Sequence, residues 1–522
     1  MAGTPSAPNR GLVVFSGGSA ANNLVDVFDS VRQSKDCSLS YIIPISDNGG
    51  SSSELIRIFG GPGIGDVRSR LVRLIPPSPP NSERAAIKTL FNHRLPADDS
   101  AHSEWLAIVD GTSALWTSIT PAKKELIRSF FNLLNLEILK RARPPSSTFD
   151  FSSASVGNLF LTGARLFSGS FESAIYLLSN ICDVPSDLIR VIPAINSNFS
   201  HHISASLANG TIIVGQNSIS HPSFPPRPAS PRPNIALQDD GINTSIDQGI
   251  DYTEPSDVLD TAVYEDDQPP GFLPHLRKKS INFSKSENED LPARITRVWY
   301  INPYGQEIRP RASPRVLESL RDSQAIIYSI GSLYTSLIPS LVLQGVGQAI
   351  VSSPARHKIL ILNGSLDRET GPPSDPFSAM DFVEAITRAG EESRGRMKLE
   401  PTPTSTSASD IEAFPSLTLN DRGLSLPYTS YVTHVLHLEG PGTPHVDRDR
   451  LSELGIETLR LYGRKIVSTQ GETGIEIPVG MRYDSTGLVQ ALEVVLGKKG
   501  DGMLRGAASR RNTLDTGRKS GV

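Results

Sequence analysis

The chain has 522 residues, of which 38% are hydrophobic and 20% are charged, and its 40 prolines and 42 glycines indicate that much of the length lies outside a packed core. Its net charge of −4 excludes the strongly basic balance of a typical nucleic-acid-binding protein. No stretch approaches the roughly 20 apolar residues of a membrane-spanning helix, and the first ten residues lack the apolar core of a secretory signal. We therefore expect a cytoplasmic protein with neither a membrane nor a nucleic acid as partner. Its two cysteines, Cys37 and Cys182, give no disulfide framework and no metal-binding spacing.

The first predicted elements form a βαβ unit. Apolar runs at 12–15 and 41–45 predict buried parallel strands, and the segment between them has the usual length of a crossover helix. Each run is followed by a loop of small residues. These loops are Ser16-Gly17-Gly18-Ser19 and Ser46-Asp47-Asn48-Gly49-Gly50-Ser51-Ser52-Ser53.

The later segments alternate between helix and strand patterns. Helices are predicted at 66–75, 123–143, 156–166, 171–180, 314–321, 336–351, 378–389 and 486–496, and strands at 325–329, 358–362 and 431–437. This alternation is typical of an α/β fold. We expect a Rossmann-like three-layer architecture, with one parallel sheet covered by helices on both faces.

The pair Asn209-Gly210 between two alternating apolar runs predicts a β-hairpin over 203–215. Three segments have compositions that favour disorder: a Pro/Ser-rich and then acidic insertion at 221–290, a Ser/Thr-rich insertion at 400–421 and a basic tail at 498–522. The remaining sequence predicts a single domain over 11–496. Serines in the disordered segments are candidate sites for a regulatory kinase.

The two glycine-rich loops predict a site for a phosphorylated ligand. Glycine and serine at the carboxyl ends of strands let backbone N–H groups approach phosphate oxygens, and the following helix adds the positive end of its dipole. The simpler alternative is that each loop only turns the chain. No third glycine completes a dinucleotide fingerprint after Gly17 and Gly18, and no lysine precedes Lys35 to complete a P-loop. Neither NAD chemistry nor ordinary ATP hydrolysis is indicated.

Two aspartates follow the second strand and are the candidate catalytic and metal-binding residues. Mg²⁺ prefers one or two carboxylates together with substrate oxygens, so we expect Asp47 and Asp66 to hold it between phosphates. The alternative for Asp66 is a helix N-cap. Arg68 either contacts a phosphate or is a solvated helix charge. Asn158, where Gly-Asn opens an apolar helix, either contacts the ligand or caps that helix.

The segment 328–339 repeats the order of strand, small hydroxyl residues and helix, and it predicts a second phosphate or sugar loop. A plain turn between strand and helix is the alternative. No nucleophile with a neighbouring base is evident, and His201, His202 and His221 lack the spacing of a zinc site. Chemistry at this site would depend on positioning and a metal ion.

Five motifs occur in the order and character of the CofD/YvcK family: Gly17-Gly18-Ser19, Asp47-Asn48-Gly49-Gly50-Ser51-Ser52, Gly65-Asp66-Val67-Arg68, Gly157-Asn158-Leu159 and Gly331-Ser332-Leu333-Tyr334-Thr335-Ser336. The chain resembles this family over most of 11–496. The family joins the 2-phospho-L-lactate transferases of coenzyme F420 synthesis to gluconeogenesis factors that bind UDP-sugars. Two departures are visible. Asn48 stands where the family usually has a second acid, and Ser19 stands where it usually has threonine.

The resemblance implies a Rossmann-like domain with its ligand at the carboxyl edge of the sheet. It places Asp47 and Asp66 near the metal and the acceptor. The implied nucleotide-binding residues are Gly17, Gly18, Ser19, Asn48, Gly49, Gly50, Ser51, Arg68, Asn158, Gly331, Ser332, Tyr334 and Thr335.

The leading hypothesis for function is a transferase that moves a phosphate-linked group from a nucleoside-diphosphate carrier to an alcohol, with Mg²⁺ as cofactor. The alternative is a non-catalytic metabolic regulator of the YvcK type that binds a UDP-sugar, which Asn48 favours. A phosphoregulated scaffold with a vestigial site ranks third. The expected partners are a nucleoside diphosphate or UDP-sugar, and a homo-oligomer is compatible with the sequence.

Overall fold

A computed structural model describes residues 10–18, 20–46, 51–144, 148–221, 290–400, 416–419, 426–470 and 475–497. The strands in these ranges are β1 (Gly11–Phe15), β2 (Leu39–Ile43), β3 (Ile189–Pro193), β4 (His202–Leu207), β5 (Ile212–Val214), β6 (Ile295–Ile301), β7 (Glu307–Ile308), β8 (Ser323–Tyr328), β9 (His357–Ile361), β10 (Met397–Glu400), β11 (Ser416–Leu419), β12 (His434–His437), β13 (Glu457–Arg460), β14 (Gly463–Gln470) and β15 (Ile475–Tyr483).

The α-helices in the same ranges are α1 (Val25–Lys35), α2 (Ser51–Phe59), α3 (Gly65–Arg73), α4 (Glu83–Asn92), α5 (Ser100–Asp110), α6 (Pro121–Arg141), α7 (Val156–Ser168), α8 (Phe171–Ile181), α9 (Gln216–Ser220), α10 (Pro314–Arg321), α11 (Ile338–Leu341), α12 (Val346–Ser352), α13 (Ala379–Ser393), α14 (Arg448–Glu453) and α15 (Ser485–Val495). A π-helix, Leu333–Leu337, precedes α11. Short 3-10 helices occur at Ala20–Leu24, Ala114–Trp116, Arg368–Thr370 and Tyr428–Ser430.

The central sheet has seven parallel strands in the order β3-β2-β1-β8-β9-β12-β13. The strand order first runs outward from β1 to β3 and then resumes on the other side of β1 with β8. The ends of β1 and β8 therefore form the topological switch point of a doubly wound sheet, where such folds open a crevice at the carboxyl edge. The predicted Rossmann-like α/β fold is confirmed.

The central strand β1 is apolar on both faces because helices flank the sheet. Val13 and Val14 of β1 are both buried although their side chains point to opposite faces. Helices α1 and α15 pack together, and α10 lies against β1, β3 and β8. The strand predicted at 12–15 agrees with β1, whereas the strand predicted at 41–45 begins and ends two residues earlier as β2.

A helical layer between β2 and β3 surrounds the buried helix α7. The first ten residues of α7 are all buried, and α7 packs on α6, α8 and α4. Phe160 of α7 makes edge contacts with Phe130 and Phe131 of α6. This packing fixes the start of α7, which lies close to the carboxyl edge of the sheet.

The predicted hairpin forms β4 and β5, which pair antiparallel with Gly210 at a positive φ of 86° in the turn. Strand β6, which follows the insertion in the sequence, pairs with the other edge of β4. The two sides of the insertion are therefore joined by backbone hydrogen bonds.

The predicted disordered segments fall mostly outside the described residues. These outside parts are 222–289, 401–415, 420–421 and 498–522. At the second insertion, β10 and β11 pair antiparallel, with Glu400 opposite Ser416. Within the described part of the chain, every helix is too short or too polar to span a bilayer.

Gly163 of α7 allows the close approach of α6, and its substitution tests this packing. A Cβ atom at position 163 would lie 2.4 Å from the backbone oxygen of Phe130. We predict that Gly163→Ala lowers the free energy of unfolding by about 1–3 kcal/mol, because the two helices have to move apart. Urea unfolding followed by circular dichroism measures this change.

Gly487→Ala is the matched control on α15. Its added Cβ would meet no atom closer than 3.6 Å, so it should leave stability unchanged or raise it slightly. An unfolding midpoint of Gly163→Ala equal to that of the wild type would contradict the tight contact of α6 and α7.

Candidate functional site

The loops after β1 and β8 meet at the switch point of the sheet. Gly17 leaves space for this contact: a Cβ atom at position 17 would lie 3.1 Å from Cβ and 3.2 Å from Oγ of Ser336, and 3.2 Å from Oδ2 of Asp66. Gly331 lies on the other side of the same junction. A Cβ atom added at position 331 would lie 3.8 Å from the carbonyl oxygen of Gly17. Backbone, a hydroxyl and a carboxylate therefore converge on Gly17.

Asp66 binds the first glycine loop directly. Its Oδ2 accepts a hydrogen bond of 2.7 Å from the N–H of Gly18, which has a positive φ of 57°. Asp66 is in the first turn of α3, whose N-cap residue is Ile64, so the alternative of an N-cap role is wrong. Burial raises the pKa of the Asp66 carboxyl, while the Gly18 N–H and the guanidinium groups of Arg70 and Arg68 act in the opposite direction.

Arg68 and Asn158 form a buried pair beside this loop. Nε of Arg68 donates a hydrogen bond of 3.1 Å to Oδ1 of Asn158, and both side chains are buried. Ser155 is the N-cap residue of α7, so Asn158 lies inside the first turn and does not cap the helix. Burial lowers the pKa of Arg68 to about 10, with a smaller contribution from Arg94. Arg68 therefore stays positively charged at neutral pH, and its hydrogen bond to Asn158 goes to a neutral amide.

Arg70 is a second buried cation beneath the glycine loop. It donates to the hydroxyl of Ser16 and the carbonyl oxygen of Ala21, and its guanidinium lies 4.6 Å from the centre of the Tyr41 ring. The side chain is 1% exposed. Arg70 thus supports the first loop from inside, and its positive charge contributes to the potential at the carboxyl edge.

The β8 loop is held by side chains from the loop after β9. The amide of Asn363 bonds to Gly331 twice: its Oδ1 accepts from the Gly331 N–H and its Nδ2 donates to the Gly331 carbonyl, each at 2.9 Å. Glu369 binds the start of the π-helix, where its Oε2 accepts from the N–H groups of Tyr334 at 3.0 Å and Thr335 at 3.1 Å. The structure therefore places Tyr334 and Thr335 against Glu369, and the Tyr334 hydroxyl donates to the carbonyl of Ile295.

Glu369 is a functional candidate that sequence reasoning missed. It is 1% exposed, and its Oε1 accepts from the hydroxyls of Thr335 and Ser220 at 2.5 Å and 3.0 Å. Burial, reinforced by the neighbouring carboxylate of Asp367, raises the pKa of Glu369 to about 8. Burial also raises the pKa of Asp367, against the effect of the Ser332 hydroxyl. The sequence carries no signal for Glu369, because its partners lie more than 30 residues away in the chain.

Several of the predicted site residues lie outside the described residues. These are Ser19, Asp47, Asn48, Gly49 and Gly50, and the side chain of Ser51 is likewise outside the description. Their assignment to nucleotide or Mg²⁺ stays a prediction. Among the residues that the structure describes, no group of three or more His, Cys, Asp or Glu side chains could hold a metal ion.

The described residues nevertheless form one continuous arrangement at the carboxyl edge. Gly17, Gly18 and Asp66 are in contact, Gly331 adjoins Gly17, and Arg68 bonds to Asn158. No described residue accepts a hydrogen bond from the N–H of Gly17 or of Ser332. The junction can therefore offer an anion these two N–H groups, the Ser336 hydroxyl and the field of two buried arginines.

Comparison with known proteins identifies the family. The model of the family described as CofD, 2-phospho-L-lactate transferase, matches residues 12–415. The chain belongs to the CofD family. An uncharacterised Saccharomyces cerevisiae protein is 42% identical over 391 residues, which cover 72% of this chain and 83% of that protein. The resemblance inferred from the five motifs is confirmed.

A more distant relative and two solved structures extend the comparison. A gluconeogenesis factor of Halalkalibacterium halodurans is 22% identical over 377 residues, covering 72% of this chain and 73% of that protein. The crystal structure of a Bacillus halodurans protein has a TM-score of 0.51 with 20% identity, and it covers 93% of this chain and 100% of the other. A second crystal structure, described as a upf0052 family member from the same organism, matches with the same scores. These structures support the fold.

The buried carboxyl of Glu369 predicts a pH-dependent stability. The folded-state pKa of Glu369, about 8, lies above the ordinary value of 4.5. Its contribution to the free energy of unfolding is therefore full below about pH 4.5 and is lost as the pH rises through 8. We predict that the free energy of unfolding falls between about pH 4.5 and pH 8 and levels off above this range, and that Glu369→Gln reduces this fall. Urea titrations at each pH measure it.

The exposed carboxylate of Glu453 on α14 supplies the matched control, Glu453→Gln. This variant should keep the wild-type dependence on pH. A Glu369→Gln profile as steep as that of the wild type would show that the carboxyl of Glu369 is not the titrating group.

Proposed function

We propose that the protein binds a nucleoside diphosphate or a nucleoside-diphosphate-linked compound where the β1 and β8 loops meet. The observation that carries this proposal is the convergence of Gly17, Ser336 and Asp66 at the switch point of a parallel sheet. In open α/β sheets, ligands bind in the crevice at this point. Membership of the CofD family is consistent with a phosphorylated ligand.

The charge distribution around the junction supports an anionic ligand. Arg68 and Arg70 are buried, and their hydrogen bonds go to neutral oxygens of Asn158, Ala21 and Ser16. Burial lowers the pKa of both arginines, which means that keeping them charged inside the protein costs free energy. A diphosphate at the junction would offset part of this cost through its negative charge.

The side chain of Asp66 fits a role in holding Mg²⁺. Its Oδ2 accepts from Gly18, and no described residue donates a hydrogen bond to its Oδ1. A carboxylate oxygen in this position can join phosphate oxygens and water around the ion, which commonly keeps only one or two carboxylates from the protein. Asp47 is the second proposed ligand. The ion, when bound, would neutralise charge on the leaving phosphate.

The proposed reaction is the transfer of a phosphate-linked group to an alcohol. The oxygen of the alcohol bonds to the phosphorus, the bond to the oxygen of the departing nucleoside phosphate breaks, and the proton of the alcohol is released to water. The residues of the chain would act by positioning: the small loops let the diphosphate approach the backbone, and the buried arginines stabilise the developing charge.

A second candidate function is binding of a UDP-sugar without turnover. It is favoured by Asn48, an amide next to Asp47 at the position where the family resemblance implies a second acid. Relatives named as gluconeogenesis factors agree with this candidate. The two candidates share the binding site and differ in the need for Mg²⁺.

Calorimetry with UDP-N-acetylglucosamine, GDP and GTP, each with and without Mg²⁺, tests the proposal. We predict binding of at least one of them, and about tenfold weaker binding by Gly17→Ala, because the new Cβ would displace Ser336 or Asp66. Mg²⁺-dependent binding of a guanine nucleotide favours the transferase, and metal-independent binding of the UDP-sugar favours the regulator.

Gly487→Ala serves as the control because its Cβ would meet no close atom on α15. Equal affinities of the wild type and Gly17→Ala would place the ligand away from this junction. Absence of binding for all three nucleotides would contradict the proposal itself.

The Mg²⁺ proposal is tested by Asp66→Asn. The amide oxygen can still accept from the Gly18 N–H, so the fold should stay intact while the negative charge is lost. We predict that Mg²⁺ no longer strengthens nucleotide binding in this variant, as measured by the same titrations. The exposed Asp110→Asn on α5 should behave as the wild type, and an unchanged Mg²⁺ effect in Asp66→Asn would remove Asp66 from the metal site.

A further inference from the structure

Glu369 connects three separate parts of the chain behind the ligand junction. It belongs to the 3-10 helix Arg368–Thr370, and its carboxylate reaches the π-helix through Tyr334 and Thr335 and the end of α9 through Ser220. Ser220 also contacts the Thr335 hydroxyl at 3.3 Å. Glu369 and Thr335 are both buried, whereas Ser220 is half-buried.

The bonds of Glu369 satisfy the free end of the π-helix. The first N–H groups of a helix have no partner within the helix, and here the carboxylate of a distant residue accepts two of them. The N-cap residue, Ser332, makes no capping bond through its side chain. Without Glu369, the buried N–H groups of Tyr334 and Thr335 would lose their acceptor, which favours unwinding of this turn.

The turn fixed in this way carries the hydroxyl that faces Gly17. Ser336 follows Thr335 directly, and its Cβ and Oγ, together with Oδ2 of Asp66, are the atoms nearest to the space beside Gly17. The backbone N–H of Ser336 bonds to the carbonyl of Ser332, so its position depends on the same turn. Any shift of Tyr334 and Thr335 therefore moves Ser336 relative to Gly17 and Asp66.

We propose that Glu369 is a positioning residue for the ligand site, which sets the place of Ser336 against Gly17 by holding the N-terminus of the π-helix. This inference rests on the proposed function, because it takes the junction of the two loops as the place where the nucleotide binds. Glu369 itself acts through the turn and does not contact the ligand.

The charge on Glu369 gives this positioning a dependence on pH. The ionisable and charged groups around it are Asp367 and Arg368 on its own segment, Asp290 near Asp367, and Tyr334 on the π-helix. Beyond Tyr334 lie Asp381, Arg294 and Arg388. The hydroxyls of Ser220 and Thr335 can donate to the ionised carboxylate or accept from the protonated form. Ionisation adds a negative charge behind a site for a diphosphate, so affinity should fall as the pH rises through about 8.

Two variants separate positioning from simple loss of structure. Glu369→Ala removes the acceptor, whereas Glu369→Gln keeps an oxygen for the two N–H groups and imitates the protonated carboxyl. Hydrogen exchange of the Tyr334 and Thr335 amides is measured without ligand, and the affinity for GDP and UDP-N-acetylglucosamine is measured with Mg²⁺ between about pH 6 and pH 9. Glu453→Gln is the control.

We expect about tenfold faster exchange at Tyr334 and Thr335 and about tenfold weaker nucleotide binding in Glu369→Ala. Glu369→Gln should restore slow exchange and wild-type affinity near pH 7, and its affinity should no longer fall towards pH 9. Wild-type exchange or wild-type affinity in Glu369→Ala overturns the inference. If Glu369→Ala does not fold, the test rests on Glu369→Gln. An affinity of this variant that still falls with rising pH as in the wild type overturns the inference.

Failure of the proposed function gives a different result. If the wild type binds neither nucleotide at any pH, the junction is not the ligand site, and the proposed function is overturned together with the role of Glu369 in positioning that ligand. Binding by the wild type with no effect of Glu369→Ala overturns the role of Glu369 alone.

Discussion

The carboxyl edge of the sheet is organised by carboxylates that accept backbone N–H groups at the ends of two strands. Where the β1 and β8 loops meet, Asp66 accepts a hydrogen bond from the N–H of Gly18. Glu369 accepts hydrogen bonds from the N–H groups of Tyr334 and Thr335. Buried N–H groups without acceptors are costly, so these bonds define which loop conformations are allowed. The absence of a side chain at Gly17 then lets the two loops come into contact.

This arrangement has a consequence for how an anion can bind. Four N–H groups at the junction, those of Gly18, Gly331, Tyr334 and Thr335, already donate to side chains of the protein. A phosphate group would therefore rely on the N–H groups of Gly17 and Ser332, on the Ser336 hydroxyl and on the positive charge of the buried arginines. Among the described residues, the loops after β1 and β8 thus contribute close access to the backbone more than free N–H donors.

The sequence predicts the elements whose patterns are local. The four apolar residues of β1, the Asn209-Gly210 turn and the helix at Pro314–Arg321 agree with the structure because periodicity and turn chemistry determine them. The single helix predicted at 336–351 is wrong: the chain forms the π-helix, α11 and α12, and Gly345 at a positive φ of 95° precedes α12. The first of these pieces depends on Glu369, a contact between distant residues that no local pattern reveals.

The residues of the candidate site also fall into two groups: those that local motifs identify and those that only contacts between distant residues reveal. Sequence motifs placed Gly17 and Gly331 on loops after parallel strands and Asp66 at the start of a helix. The structure brings the three together because strand ends of a parallel sheet meet at one edge. They left open whether Asn158 caps a helix, and the structure makes Ser155 the N-cap of α7 and pairs Asn158 with Arg68 in the interior. Glu369 resembles an ordinary surface acid in sequence and is revealed only by its burial.

The most direct test of the central claim is a crystal structure of the protein with GDP or UDP-N-acetylglucosamine and Mg²⁺. We predict that the diphosphate lies between Gly17 and Ser336, with the ion next to Asp66. A diphosphate bound elsewhere, with the Gly17 and Ser336 junction closed and unchanged, would contradict the account.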